Sequence, residues 1–268
     1  MGVEEAFAKF KASRSIQEVR KPKILLWDVE TAKMVLRMRT YSLKQYSNFL
    51  NPMDIERDIW MVCAAWKWYG EPVVASTSVL KDAERFKNNY ADDYHVVKTL
   101  WDLMDEADIL VAHNGDAFDW KIFTSRCIAN HLPPPNKPVM VDTLKIARRE
   151  FKFSSNQLRY LAKFLGVTDK DDAPKWDLVA EGNEEEIGYC EKYCRQDIRT
   201  LDAIYTRLLP YITNHPHVGH RGLCPKCRHF DIQSAKTRYL KSGKSYKQMR
   251  CNPKGGCGSY FKESDAFR

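Results

Sequence analysis

Lys23-Ile24-Leu25-Leu26-Trp27-Asp28-Val29-Glu30 is the stretch from which the fold is read: a short apolar run that closes on two acids. Such a run reads as a buried strand whose charged end lies at the rim of a sheet. Side chains two residues apart on a strand point to the same face, so the carboxylates of Asp28 and Glu30 converge. Two acids held together repel unless a cation sits between them, which makes the pair a candidate metal site. The D-x-E pattern alone does not decide. Asp54-Ile55-Glu56 and Asp82-Ala83-Glu84 repeat it in polar surroundings, where solvated acids need no cation. Only the first closes a buried strand.

Outward from this strand, Ile59–Tyr69 reads as a second, longer strand and Pro72–Val79 as a third, with a hairpin turn at Gly70-Glu71-Pro72. Val96, Val97, Leu100, Leu103 and Met104 have helical spacing within Asp93–Asp105. Asp108–Ala112 is a further buried strand, followed by a helix from about Ala117 to Asn130, and Pro138–Asp142 is a fifth strand. Helices follow at roughly 142–150, 154–165 and 184–208. Strands first and then strands alternating with helices imply an α/β domain with a mixed sheet flanked by helices. Residues 1–21 read as a loosely amphipathic helical extension.

The chain has 268 residues, 44% hydrophobic and 29% charged, which excludes disordered and fibrous classes. Its 43 Lys+Arg against 35 Asp+Glu give a formal net charge of +8, and this charge is not spread evenly. Residues 211–268 hold 12 Lys+Arg and 3 Asp+Glu, a net of +9, whereas residues 1–210 hold 31 and 32, a net of −1. That shift divides the chain into a domain at 22–210, a linker at 211–220 and a small module at 221–268. No apolar run approaches the roughly 18 residues of a membrane span, and the N-terminal MGVEEAFAKFKASRSI lacks the apolar segment of an export signal. Together with Cys63, Cys127, Cys190 and Cys194 in apolar contexts, this points to a reducing, cytoplasmic setting.

Two further groups of acids follow. Val111-Ala-His113-Asn114-Gly-Asp116-Ala-Phe118-Asp119 leads from a buried strand into a helix, where Asp116 and Asp119 could serve as capping residues. Tyr193 and Asp197 are four apart on the last long helix and share a face. A strand D-x-E, then N-x-x-x-F-D, then Y-x-x-x-D resembles, in that order, the three motifs of the DnaQ-like 3′–5′ exonucleases. This is the DEDDy branch of the RNase H-like superfamily, and compact enzymes of this layout resemble those of bacteriophages and prokaryotes. The resemblance spans roughly residues 22–210 and includes Val141–Arg148 and Ser155–Gly166.

The resemblance implies an RNase H-like fold in which Asp28, Glu30, Asp119 and Asp197 hold two Mg²⁺, or Mn²⁺. Tyr193 would orient and help deprotonate the attacking water. Expected products are 5′-nucleotides released from DNA 3′ ends, in the bacterial or infected-host cytoplasm. The expected partner is DNA, single-stranded or at duplex 3′ ends, with a replication protein as a further partner and no membrane partner. RNA is the alternative substrate, and a non-catalytic nucleic-acid-binding or polymerase-recruiting subunit the alternative from another class. Asn114 is expected near the nucleic acid, Phe118 in the core, His113 as a polar strand-end residue and Asp142 as a supporting or capping acid. Arg37, Arg39, Tyr41, Lys44, Tyr46 and Phe49 interleave charge and rings, which suits either a strand-gripping surface or an ordinary insertion.

In the C-terminal module, Cys224-Pro-Lys-Cys227 and Cys251-x₅-Cys257 flank hairpin-like segments at Thr237–Leu240 and Tyr246–Met249. The arrangement resembles a zinc ribbon, in which four thiolates hold one structural Zn²⁺. Disulfides are the alternative, and His215, His217 and His220 are assigned to the linker. Lys236, Arg238, Lys241, Lys244, Lys247 and Arg250 mark the hairpin as a phosphate-binding surface, or as a basic face that docks a protein.

Overall fold

A computed structural model of the chain describes residues 22–37, 51–167, 172–216, 223–227 and 229–266. The helical extension expected at 1–21 lies outside them, as do Arg39, Tyr41, Lys44, Tyr46, Phe49, His217 and His220. The chain divides into two compact units, one of residues 23–212 and the other built on the residues from Thr213 onward.

The first unit is organised around five strands. They are β1 (Ile24–Ala32), β4 (Trp60–Trp68), β5 (Ala75–Ser78), β6 (Ile109–Ala112) and β7 (Val139–Asp142), in the spatial order β5-β4-β1-β6-β7. β4 runs antiparallel to both β1 and β5, while β1, β6 and β7 are parallel, so the sheet is mixed. A small ribbon of β2 (Val35–Leu36) and β3 (Ile55–Arg57) branches off before β4. The central position of β1 explains its composition. Leu25, Leu26 and Trp27 are fully buried, and each such side chain contributes about 1.5–3 kcal/mol by leaving water.

Helices α1 (Ala83–Asn88), α2 (Tyr94–Glu106), α3 (Asp119–Ala129), α4 (Thr143–Glu150), α5 (Leu158–Leu165), α6 (Trp176–Ala180) and α7 (Glu184–Leu208) flank the sheet. α7 crosses β1, β4 and β5. Asn183 caps it through Glu186 N–H at 3.0 Å, and Glu184, Glu185 and Glu186 in its first turn favour the positive end of the helix dipole. Asp93 fastens α2 to its neighbours. Its buried carboxylate accepts from Arg126 at 2.6 and 2.9 Å, from Asn130 and from the Met61 amide.

The expected elements are present, with shifted ends. The third strand is confined to Ala75–Ser78, and Val79–Lys81 turns into a 3₁₀ segment. The helix expected from 154 begins only at Leu158, and α1, α6 and the β2–β3 ribbon were not anticipated. Among the described residues no helix is long and apolar enough to cross a membrane.

The second unit is a three-stranded antiparallel sheet of β8 (Ile232–Tyr239), β9 (Ser245–Cys251) and β10 (Tyr260–Lys262), in the order β10-β9-β8, closed by the short helix α8 (Glu263–Ala266). The β8–β9 turn places Gly243 at φ +78°, a conformation that favours glycine. Among the described residues its buried apolar core consists of Cys224, Cys251 and Phe261, with Cys227, Ile232, Met249 and Cys257 partly buried against them. A cluster this small does not offset the entropy of ordering the chain, so another source of stability is required.

Candidate active site and metal centres

β1 pairs with β6 only from Ile24 to Leu26, whereas its pairing with β4 continues to Ala32. Beyond Leu26 the strand therefore offers an edge that β6 does not cover, and Asp28 and Glu30 project from this part. One carboxylate oxygen each from Asp28, Glu30 and Asp197 lie within 4.8 Å of one another. Asp28 and Glu30 are half-buried and Asp197 is buried. Three negative charges at such spacing, partly removed from water, repel strongly. The arrangement fits a hard divalent cation, which takes oxygen ligands.

Asp119 stands outside that 4.8 Å cluster but borders it. Its carboxylate, 4% exposed, accepts from the Val29 amide between the two strand acids. Burial raises its pKa from 3.8 to about 7. The amides of Asp119 and Val29 oppose the shift, and the charge of Asp142 adds to it. This burial has a consequence for stability. Near pH 4 and below, Asp119 is protonated in the fold and burial costs little. As pH rises, the unfolded chain ionises first, so stability is lost progressively up to and through pH 7. The cation-free protein is therefore expected to lose a few kcal/mol between pH 4 and 7. Asp119→Asn should flatten this slope in thermal melts across that range; an unchanged slope would contradict the assignment.

The loop before α3 is fixed by close contacts. Asn114 adopts φ +71°, tolerable for asparagine, and its backbone N–H donates to Asp142 Oδ1 at 3.0 Å. The same oxygen caps α4 through Leu144 N–H at 2.9 Å, so Asp142 acts as a cap. A Cβ on Gly115 would meet Ala112 Cβ at 2.4 Å and Asp119 Oδ2 at 3.6 Å, which requires glycine for this approach. His113 bridges Thr143 Oγ1 and the Asn156 carbonyl, each at 2.9 Å, and so ties two further segments to the loop. Phe118 departs from expectation. It is 44% exposed rather than in the core, because it precedes α3 where the chain turns outward.

α7 supplies Tyr193 and Asp197 from one face. Tyr193 is half-buried and meets the edge of Trp176, on α6, with ring centroids 6.4 Å apart and planes at 90°. Tyr189, one turn earlier, donates its hydroxyl to the Asp172 carbonyl at 2.9 Å. Cys194 places its thiol 3.6 Å from Asp28 Oδ2, and burial holds its pKa well above the usual thiol range. Motif reasoning missed Gly115, Trp176 and Cys194. Gly115 lies inside the quoted N-G-D and could have been read as a close approach, whereas the other two carry no pattern of their own.

In the second unit, Cys224, Cys227, Cys251 and Cys257 bring their sulfurs within 4.8 Å of one another. The Cys224–Cys257 and Cys227–Cys251 separations are 3.7 and 3.6 Å. A disulfide needs about 2.05 Å. A tetrahedron of Zn–S bonds of about 2.3 Å has edges of about 3.8 Å. The sulfur set therefore fits a thiophilic ion. Hydrogen bonds from Cys227 and Cys257 push the Cys224 thiol far below the ordinary range, while burial raises Cys251 to about 12. His215 is buried, and its pKa is lowered to about 4 by that burial.

The sequence-selected cations of this unit do not share one face. Register places Lys236, Arg238 and Arg250 on one side of the sheet, with Tyr246 and Tyr260. Arg250 lies over the Tyr260 ring at 5.3 Å. Lys247 points to the opposite side and pairs with Glu263 at 3.6 Å, because it alternates with Tyr246. Lys241 and Lys244 flank the exposed turn.

The RNase_H_2 family, described as RNase_H superfamily, matches residues 73–209. The match contains Asp119, Tyr193 and Asp197 and begins after β4. No curated protein sequence matches the chain. Among solved structures, the family B DNA polymerase from the hyperthermophilic archaeon Pyrobaculum calidifontis is similar with a TM-score of 0.51 and 17% identity, over 71% of this chain and 25% of that one. At this identity the likeness speaks to the fold, and this chain corresponds to about a quarter of the polymerase. With the mixed sheet, its flanking helices and a family match over half its length, the chain belongs to the RNase H superfamily.

Proposed function

We propose that the chain is a divalent-cation-dependent 3′–5′ exonuclease that releases 5′-nucleotides from DNA ends. The observation that supports this most is the convergence of Asp28, Glu30 and Asp197 within 4.8 Å, with buried Asp119 at their border. These four acids would hold Mg²⁺ or Mn²⁺. When bound, such cations acidify a water and neutralise charge on the reacting phosphate. The chain's own part is to orient. The Tyr193 phenol would hold the attacking water and accept its hydrogen bond, while the edge contact from Trp176 restricts the ring. Tyr189 is not suited to this role, since its hydroxyl already serves the Asp172 carbonyl. Asp28 receives the Cys194 thiol, a contact that orients its carboxylate without adding charge.

The second unit is read as a ribbon organised by one Zn²⁺ on its four cysteines, with Lys236, Arg238 and Arg250 offered to phosphates and Lys241 and Lys244 at the turn. Incubation with Mg²⁺ of single-stranded DNA, duplex DNA and RNA, each labelled at the 5′ or the 3′ end, tests the nuclease reading. The expected result is a stepwise ladder from 5′-labelled DNA and immediate mononucleotide from 3′-labelled DNA. Release of mononucleotide from the 5′ label would reverse the assigned direction, and degradation of RNA alone would transfer the chemistry to the other substrate.

A further inference from the structure

Residues 1–210 carry a net charge of −1, yet within them Lys145–Leu165 holds Lys145, Arg148, Arg149, Lys152, Arg159 and Lys163 against a single acid, Glu150. Lys145 pairs with Asp116, and Arg149 pairs with Glu150. All six cations are exposed. The same stretch supplies a row of rings. Phe151 and Phe153 stack with centroids 5.0 Å apart, Phe153 meets Phe164 at 5.2 Å, and Phe164 meets Tyr160 at 6.2 Å. Tyr211, just past the end of α7, extends the row through Phe151 at 5.4 Å. Phe164 is 60% exposed and Tyr211 62%, so the row presents rings to solvent.

The segment that carries the row is anchored to the loop that leads to Asp119. The loop between α4 and α5 is tied by the Asn156 carbonyl to His113, one residue before Asn114. Tyr211 lies 14 residues beyond Asp197, roughly 20 Å along a helix. That length accommodates about six stacked nucleotides at roughly 3.4 Å each. A purely structural aromatic cluster would not need a surrounding field of one sign. A protein partner would require acidic or apolar complementarity, for which nothing here selects, whereas alternating rings and cations match bases and phosphates.

We infer that the Lys145–Leu165 segment with Tyr211 is a binding track for the single-stranded DNA leading to the site. This rests on the nuclease reading only for the strand's direction. The track is tested with the full chain carrying Asp197→Asn, so that the strand survives. Binding of oligothymidines of about 20 and about four nucleotides is measured by fluorescence anisotropy at several salt concentrations. Phe164→Ala with Tyr211→Ala, and separately Lys152→Glu with Lys163→Glu, are each expected to weaken binding of the long strand about tenfold or more. The charge-reversed pair should also flatten the salt dependence. Binding of the short strand should stay within about twofold. In chains that keep Asp197, hydrolysis of the p-nitrophenyl ester of thymidine 5′-phosphate, too small to reach the row, should be equal in parent and variants. Long-strand affinity unchanged in both pairs would overturn the track. A parent that fails to degrade the labelled DNA strand, with long-strand binding still lost in the variants, would remove the nuclease reading and leave the track standing.

Discussion

Asparagine at Asp197, or at Asp28, is expected to lower the rate of strand cleavage by at least about a thousandfold without loss of the fold. Each substitution keeps the shape of the side chain and removes one of the charges that would hold the cations. A catalytic cation contributes several kcal/mol to transition-state stabilisation, and each tenfold in rate corresponds to about 1.36 kcal/mol. Stability should move the other way. The three clustered carboxylates repel one another in the cation-free protein, so removing one charge relieves repulsion and should leave the melting temperature unchanged or raised. Asp116→Asn is the control, because Asp116 is occupied by Lys145 and lies outside the cluster. It should change the rate only a few-fold. Initial rates on a labelled strand, with melts in the absence of divalent cations, separate these outcomes. A fall in both rate and melting temperature for Asp197→Asn would mean that the acid serves the fold instead.

The second large effect concerns the cysteine-rich unit. Cys224→Ser or Cys251→Ser should unfold residues 223–266 while residues 23–212 keep their own transition. Among the described residues, Cys224, Cys251 and Phe261 alone are buried in the second unit's apolar core, whereas a structural zinc supplies on the order of 10 kcal/mol at neutral pH. Hydrogen exchange should show β8 and β9 losing protection in the variants, with β1 and β4 unchanged. Elemental analysis should fall from one zinc per chain to none. Full protection of β8–β9 after chelation would show that the sulfurs pack without an ion.

The main sheet was legible because burial writes itself into sequence. The run before Asp28 could only be a covered strand, and the 25 residues of α7 follow a capping asparagine, Asn183, and carry a buried stripe. Short elements were not legible. Trp176–Ala180 has five residues, too few for a period to register, yet it sets Trp176 against Tyr193. Tyr260–Lys262 is a strand only because β9 offers it an edge. Phe118 looked like core because it is aromatic beside an apolar strand, but the turn into α3 exposes it. Net charge also misled by averaging. A sum of −1 over residues 1–210 conceals the cations of Lys145–Leu165, and the ring contacts that accompany them form only in space.

Binding of Mn²⁺ measured by electron paramagnetic resonance tests the central claim most directly, since it reads the cation rather than the reaction. The zinc-loaded parent is expected to bind Mn²⁺ in a manner reversed by Mg²⁺, and the Asp28→Asn, Asp197→Asn double variant to lose that binding while retaining its zinc. Equal Mn²⁺ binding by parent and variant would contradict the assignment of these carboxylates as the cation site.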